Sequence, residues 1–211
     1  MGDKKLIEIS IGRSLSGSIA GAAAVVLSIL GLAKIYPELF VAIATIAIGV
    51  SLLLKALAIT AEFPRLLSET SGSRVEAGSG ISVEFIAGAT GIVLGILALL
   101  GVEFQPLVSI AVIVFGAGLI FGTTIIKSVN ELKAQVSGAE SSVQKVMHEI
   151  VSATMGTQLL VGIGAVVLGI LSLIGFMPLV LTLVALLAIG GATLLTGSAV
   201  TGRMFSLIKH H

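Results

Sequence analysis

The sequence predicts an all-α, polytopic membrane protein of six transmembrane helices, arranged as three tandem helical hairpins. Three observations carry that expectation. The 211 residues are 56% hydrophobic and 11% charged, whereas a water-soluble domain carries about 25% charged residues. The apolar residues fall in runs of about 20, the length a helix needs to cross roughly 30 Å of hydrocarbon. The same short pattern then recurs three times along the chain.

The recurring pattern is Val26-Leu-Ser-Ile-Leu, Val93-Leu-Gly-Ile-Leu and Val167-Leu-Gly-Ile-Leu. A glycine stands five residues before each, at Gly21, Gly88 and Gly162, and a proline follows, at Pro37, Pro106 and Pro178. Twelve residues past each proline comes another glycine, at Gly49, Gly118 and Gly190. Each unit therefore reads as a span, a short turn and a returning span. Proline suits the first helical turn because its missing N–H would be unpaired there anyway.

Expected spans are residues 17–35, 38–61, 83–101, 106–127, 157–175 and 178–201, within repeats 14–61, 83–127 and 157–201. The lead-in from Met1 is charged and only mildly apolar, so the first run reads as a retained span, not a cleaved signal. Leu6 stands where a myristoylation motif wants Ser or Thr. His210 and His211 are set aside as remnants of a purification tag.

Lysine and arginine set the expected orientation. Lys4, Lys5, Arg13, Arg65, Arg74, Lys127, Lys133, Lys145, Arg203 and Lys209 all lie on the side of the termini and inter-hairpin connections. Only Lys34 lies at a hairpin tip. The positive-inside rule places the richer side, and with it both termini, in the cytoplasm of a cell (inner or plasma) membrane. Tyr36, Phe40, Phe104 and Phe176 mark the opposite interface.

The first helix of each unit carries two small residues four apart: Ala24 and Ser28, Gly91 and Gly95, Ala165 and Gly169. Association of helices already in lipid relies on close backbone approach at such residues. Helices one, three and five are accordingly expected to pack together at the bundle centre. Glycine is frequent in membrane helices generally, so Gly17 with Gly21 and Gly118 with Gly122 add little. Gly162 and Gly164 sit inside an apolar span with no strand before them, which removes the nucleotide-fingerprint reading.

Lys55 is the one basic residue well inside a span. A central lysine costs about 3 kcal/mol on insertion scales, and this one stands close enough to the cytoplasmic end to snorkel. The competing reading is an intramembrane charge pair of Lys55 with Glu62 or Glu84, marking an ion path. Glu38 and Glu103 lie at or beside the tips, where water can reach them. No expected span holds a central carboxylate, which argues against a proton-coupled pump.

The connection over residues 128–155 is polar but patterned. Val129, Leu132, Val136, Ala139, Val143, Val146 and Ile150 recur at alternating steps of three and four, the heptad seam of an amphipathic helix. Mixed charges on it (Glu131, Glu140 and Glu149 against Lys133 and Lys145) suit a protein partner, a second subunit included, as well as lipid. Gly138 is the point where it would break. His148 has no second imidazole or thiolate nearby and reads as a surface residue. Ser68 to Gly80, rich in Ser and Gly, reads as a flexible loop.

The unit Gly-x-x-x-x-Val-Leu-Gly-Ile-Leu, a Pro-bearing tip and a Gly-bearing second helix resembles the repeats of HdeD-type membrane proteins. The resemblance covers residues 21–60, 88–127 and 162–201 and implies three consecutive hairpins and an association with acid resistance. The chain lacks the tryptophans common in those repeats, and its long heptad connection is foreign to them.

The absence of cysteine excludes disulfides and thiolate metal sites. With a formal net charge of +1, nothing points to nucleic acid. No cofactor or metal is expected, and no cluster of nucleophile, base or ligands supports an enzyme. The favoured expectation is a non-enzymatic structural or stress-response membrane protein that self-associates in lipid. The alternatives are a channel or small-solute transporter built on the repeat, and a scaffold subunit of another membrane complex. For a channel, the hydroxyls of Thr45, Ser51, Thr123, Thr124, Ser172, Thr182 and Thr193 are scattered, and such groups often bond their own helix carbonyls.

Overall fold

In the computed structural model the described residues are 19–66, 74–136 and 142–208, with side chains described over 19–57, 83–123 and 156–195. Every element among them is an α-helix. We number them α1 (described from Ile19 to Leu32), α2 (Pro37–Leu66), α3 (Arg74–Leu99), α4 (Phe104–Val136), α5 (Ser142–Leu173) and α6 (Pro178–Ile208). Four stretches are long and apolar enough to cross a membrane: Pro37–Leu57, Phe104–Thr123, Gly156–Leu173 and Pro178–Leu195, with mean hydropathies of 2.0 to 2.3. The apolar parts of α1 and α3, Ile19–Leu32 and Val83–Leu99, are shorter.

The three tips share one backbone. Lys34, Gly101 and Gly175 each adopt positive φ, at 63°, 80° and 95°. Their amides bond the carbonyls of Gly31, Ala98 and Ser172, and the next amides reach Leu30, Leu97 and Leu171. This is the paired 5→2 and 6→1 closure of a Schellman cap, which needs a left-handed residue. Tyr36, Glu103 and Met177, also at positive φ, then redirect the chain into the returning helix.

The tips also correct the register of the repeat. Successive offsets of 67 and then 74 residues carry Val26 onto Val93 and on to Val167, and the same steps carry Lys34 onto Gly101 and on to Gly175. Pro37 and Pro178 begin their helices, but their counterpart is Phe104; Pro106 sits two residues further on, still inside the first turn. The counterpart of Gly49 and Gly190 is likewise Gly116, not Gly118.

The packing places α2, α4 and α6 against one another, with α3 lying against α2 and α4 and α5 against α4 and α6. Glycine contacts close the ring by setting α1 against α6. The expected central cluster of α1, α3 and α5 is not found: among the described residues α3 and α5 do not touch. Small residues mark where a backbone is approached, not which helix is innermost. The inner positions belong to the second helix of every hairpin, whose buried side chains recur every three or four residues.

Those residues stack in layers of register mates: Val41, Val108 and Thr182; Ala44, Ala111 and Ala185; Thr45, Val112 and Leu186; Ile48, Phe115 and Ile189; Leu52, Leu119 and Thr193. All are buried, and the apolar ones belong to a single cluster that also takes in Ala24, Ala98 and Ala165 of the outer helices. The repeat motif is thereby decoded. Val26, Val93 and Val167 are each more than half exposed, on the outside of α1, α3 and α5. Leu27, Leu94 and Leu168 pack against the core. The bundle is thus apolar on its outer face as well as inside, as a helix surface in lipid must be.

Of the two connections, only the expected loop differs from expectation. Helical structure over 128–155 is divided between the end of α4 and the start of α5, with Gly138 among residues 137–141 outside the described set. Arg74 to Gly80, within the expected loop, already belongs to α3. Once a span is helical, extending it adds one hydrogen bond per residue without a new nucleus, so patterned connections continue as helix. The side chains of Val129, Leu132, Val136, Val143, Val146 and Ile150 lie outside the described residues, as does that of His148.

Candidate functional site

The site is built where three helices meet near the end of the bundle opposite the tips. Lys55 of α2 donates to Glu84 Oε1 of α3 at 2.8 Å. The carboxylate is nearly sealed, its side chain 3% exposed, while Lys55 is 25% exposed. Room for it comes from α4: a Cβ on Gly122 would lie 2.5 Å from Oε1 of Glu84. Gly122 is the register mate of Lys55, and the mate of Glu84 is Gln158, which is buried on α5. One repeat therefore supplies the cation, the next supplies the anion and, through a bare glycine, the space.

Of the three residues expected to form a charge pair, the structure brings Lys55 and Glu84 together. Glu62 lies on α2, but its side chain is outside the described residues. The pair is part-buried, and its clearest consequence is that removal of Lys55 would strand the sealed carboxylate of Glu84. The arrangement offers a fixed bridge between α2 and α3. Its two charged groups are engaged with each other.

A second polar contact joins α4 to α5 near the tips. Ser109 and Ser172 stand with their hydroxyl oxygens 2.7 Å apart. Ser109 also reaches the carbonyl of Gln105 at 2.9 Å, and Ser172 that of Pro178 at 3.1 Å. Ser172 was visible among the hydroxyls of the sequence, but Ser109 was not. The signal that finds it is the corrected register: its mates are Ala42 and Leu183, so a hydroxyl appears in one repeat only. The threonines behave as expected, Thr45, Thr123, Thr182 and Thr193 each donating to a carbonyl three or four residues back.

The six expected packing residues are all buried, but in contacts between inner and outer helices. Gly95 faces Ile46 and the Ala42 carbonyl of α2; Gly169 faces Ile113 and the Ser109 carbonyl of α4. Gly91 lies against the Cε1–Cζ edge of the Phe115 ring. Ser28, mate of Gly95 and Gly169, buries a hydroxyl with no hydrogen-bond partner. Ala24 lies beside Gly190 of α6, and Ala165 is buried on α5.

Fold and site together define a helical membrane protein, several of whose helices are long and apolar enough to span a bilayer. No protein-family model, no curated protein and no solved structure matches the chain.

Proposed function

We propose that the protein is a six-span, non-enzymatic membrane module of structural or stress-response type, similar in plan to the HdeD-type proteins. In this reading the tips face outward, and the termini and inter-hairpin connections face the cytoplasm, following the ten-to-one bias of basic residues. Copies associate in lipid through their apolar outer faces and the heptad residues Val129 to Ile150.

The observation that carries the reading is the filled axis. Ile48, Phe115 and Ile189 are fully buried where a pore through one chain would run, and the layers on either side each hold two apolar side chains and one threonine. The polar side chains nearest that axis are threonines bonded to their own helices. A channel or transporter needs polar groups lining a path; a structural module needs a packed core.

The test is flux. Purified protein in liposomes is expected to leave the permeation of protons, potassium and glycerol at the protein-free rate, and cells producing it to survive acid challenge better than cells without it. Protein-dependent flux of any of these solutes would favour the channel reading instead.

A further inference from the structure

The three seams between repeats share one backbone plan. Gly49 meets Gly88, Gly116 meets Gly162 and Gly190 meets Gly21, in each case an inner helix of one repeat against the outer helix of the next. The side chains laid over that plan are unlike. The seam of α2 with α3 holds the Lys55–Glu84 ion pair. The seam of α4 with α5 holds the Ser109–Ser172 hydroxyl pair. In the seam of α6 with α1, Leu183 fills the space beside Gly31, where a Cβ would come within 2.6 Å of its Cδ2.

Three like hairpins can close a ring in two orders. Each inner helix can meet the outer helix of the following repeat, as observed, or that of the preceding one. In the second order, register places Lys55 opposite Gln158 and Glu84 opposite Thr196. Ser172 would meet Ala42, and Leu183 would press on Ala98 instead of Gly31. Every unlike match is lost at once: the ion pair is broken, the hydroxyl pair is parted, and the leucine meets a Cβ. We propose that these three matches set the cyclic order of the repeats, and that Lys55 and Glu84 serve as a positional key between repeats one and two.

The physical basis is discrimination between near-equal partners. Specificity is a difference between the right and wrong pairings, and penalties in the wrong pairing contribute as much as gains in the right one. Fixing register is also the best-attested use of a buried polar pair. Identical seams would leave only the connecting segments to choose the order.

The chain has no cysteine, so an introduced disulfide reports the order in the full-length protein in lipid nanodiscs. A Cβ on Gly95 would lie 2.6 Å from Ile46 Cγ1, and one on Gly169 2.6 Å from Ile113 Cγ1; Ser28 and Leu187 hold those places at the third seam. S28C/L187C therefore cross-links in the observed order, and S28C/I113C in the other. Exchanging the carboxylate and the amide, E84Q/Q158E, leaves Lys55 a charged partner only in the other order. In that background the 28–187 disulfide is expected to fall several-fold and the 28–113 disulfide to appear. Adding K55G/G122K moves the lysine as well, re-forming the pair across α4 and α5, and is expected to restore the 28–187 disulfide alone.

An E84Q/Q158E chain that forms the 28–187 disulfide at the parent's yield, with none at 28–113, overturns the proposal, because the connections then suffice. Should E84Q/Q158E fail to fold, the four-substitution chain decides. Its recovery with the 28–187 disulfide supports the key, and its failure as well overturns it.

Discussion

Gly49 of α2 and Gly88 of α3 approach so closely that a Cβ built on either would lie 2.8 or 2.7 Å from the carbonyl oxygen of the other. Neither backbone can yield without parting the helices. Gly88→Ala is therefore expected to destabilise the bundle by about 1–3 kcal/mol, the cost of overpacking. Gly164→Ala is the control. That helical glycine has open space around its Cβ position, and alanine there should be neutral or stabilising by up to about 1 kcal/mol. Unfolding in mixed micelles measures both, and equal effects would remove close approach as the explanation.

Phe115 and Gly91 form a size-matched pair. The mates of Phe115 are Ile48 and Ile189, and the mates of Gly91 are Ala24 and Ala165, so one repeat exchanges volume between facing positions. Gly91→Ala should cost about 1–3 kcal/mol by driving a methyl into the ring. Combined with Phe115→Ile, it recreates the composition of the other repeats and is expected to regain most of the loss. Additive destabilisation in a double-mutant cycle would show that the two positions do not compensate.

At the tips, Lys34 holds the left-handed conformation that Gly101 and Gly175 hold in the other hairpins. A residue with a Cβ pays roughly 1 kcal/mol there. Lys34→Gly is expected to raise stability by about that amount, and Gly101→Ala to lower it similarly, since nothing crowds its Cβ position. Thermal unfolding in nanodiscs reads both signs.

Ser28 carries its hydroxyl into a buried seam without a partner, where the other repeats have glycine. A buried unpaired hydroxyl costs on the order of 1–3 kcal/mol. Ser28→Ala keeps the Cβ and removes the oxygen, so it should stabilise by about 1 kcal/mol. A loss of stability instead would mean that the hydroxyl has a partner in the membrane.

Ser109 and Ser172 invert that logic. Removing one hydroxyl, as in Ser172→Ala, should cost about 1 kcal/mol. Ser109→Ala with Ser172→Ala together should cost less than the two singles summed, because Ala42 and Ala98 occupy the same places at the seam of α2 with α3 and are buried there. Chemical unfolding of the three variants measures the coupling.

Helix, hairpin and threefold repetition were legible in the sequence because each is a local property. Runs of apolar residues determine where helices form in lipid, and the recurrence of Val-Leu-x-Ile-Leu after a glycine determines that the same unit is built three times. Lys55 and Glu84 were visible as candidates for one pair because charges in apolar runs have few places to go. Which helices form the centre was not legible. An outer helix needs small residues where it meets an inner one, and this looks the same in sequence as small residues at the core of a bundle. The true register was also hidden, since Pro106 and Gly118 imitate marks that belong two residues earlier. Only the tertiary structure decided these, because the shared tip backbone and the glycine contacts across the seams are spatial relations between repeats that no single segment encodes.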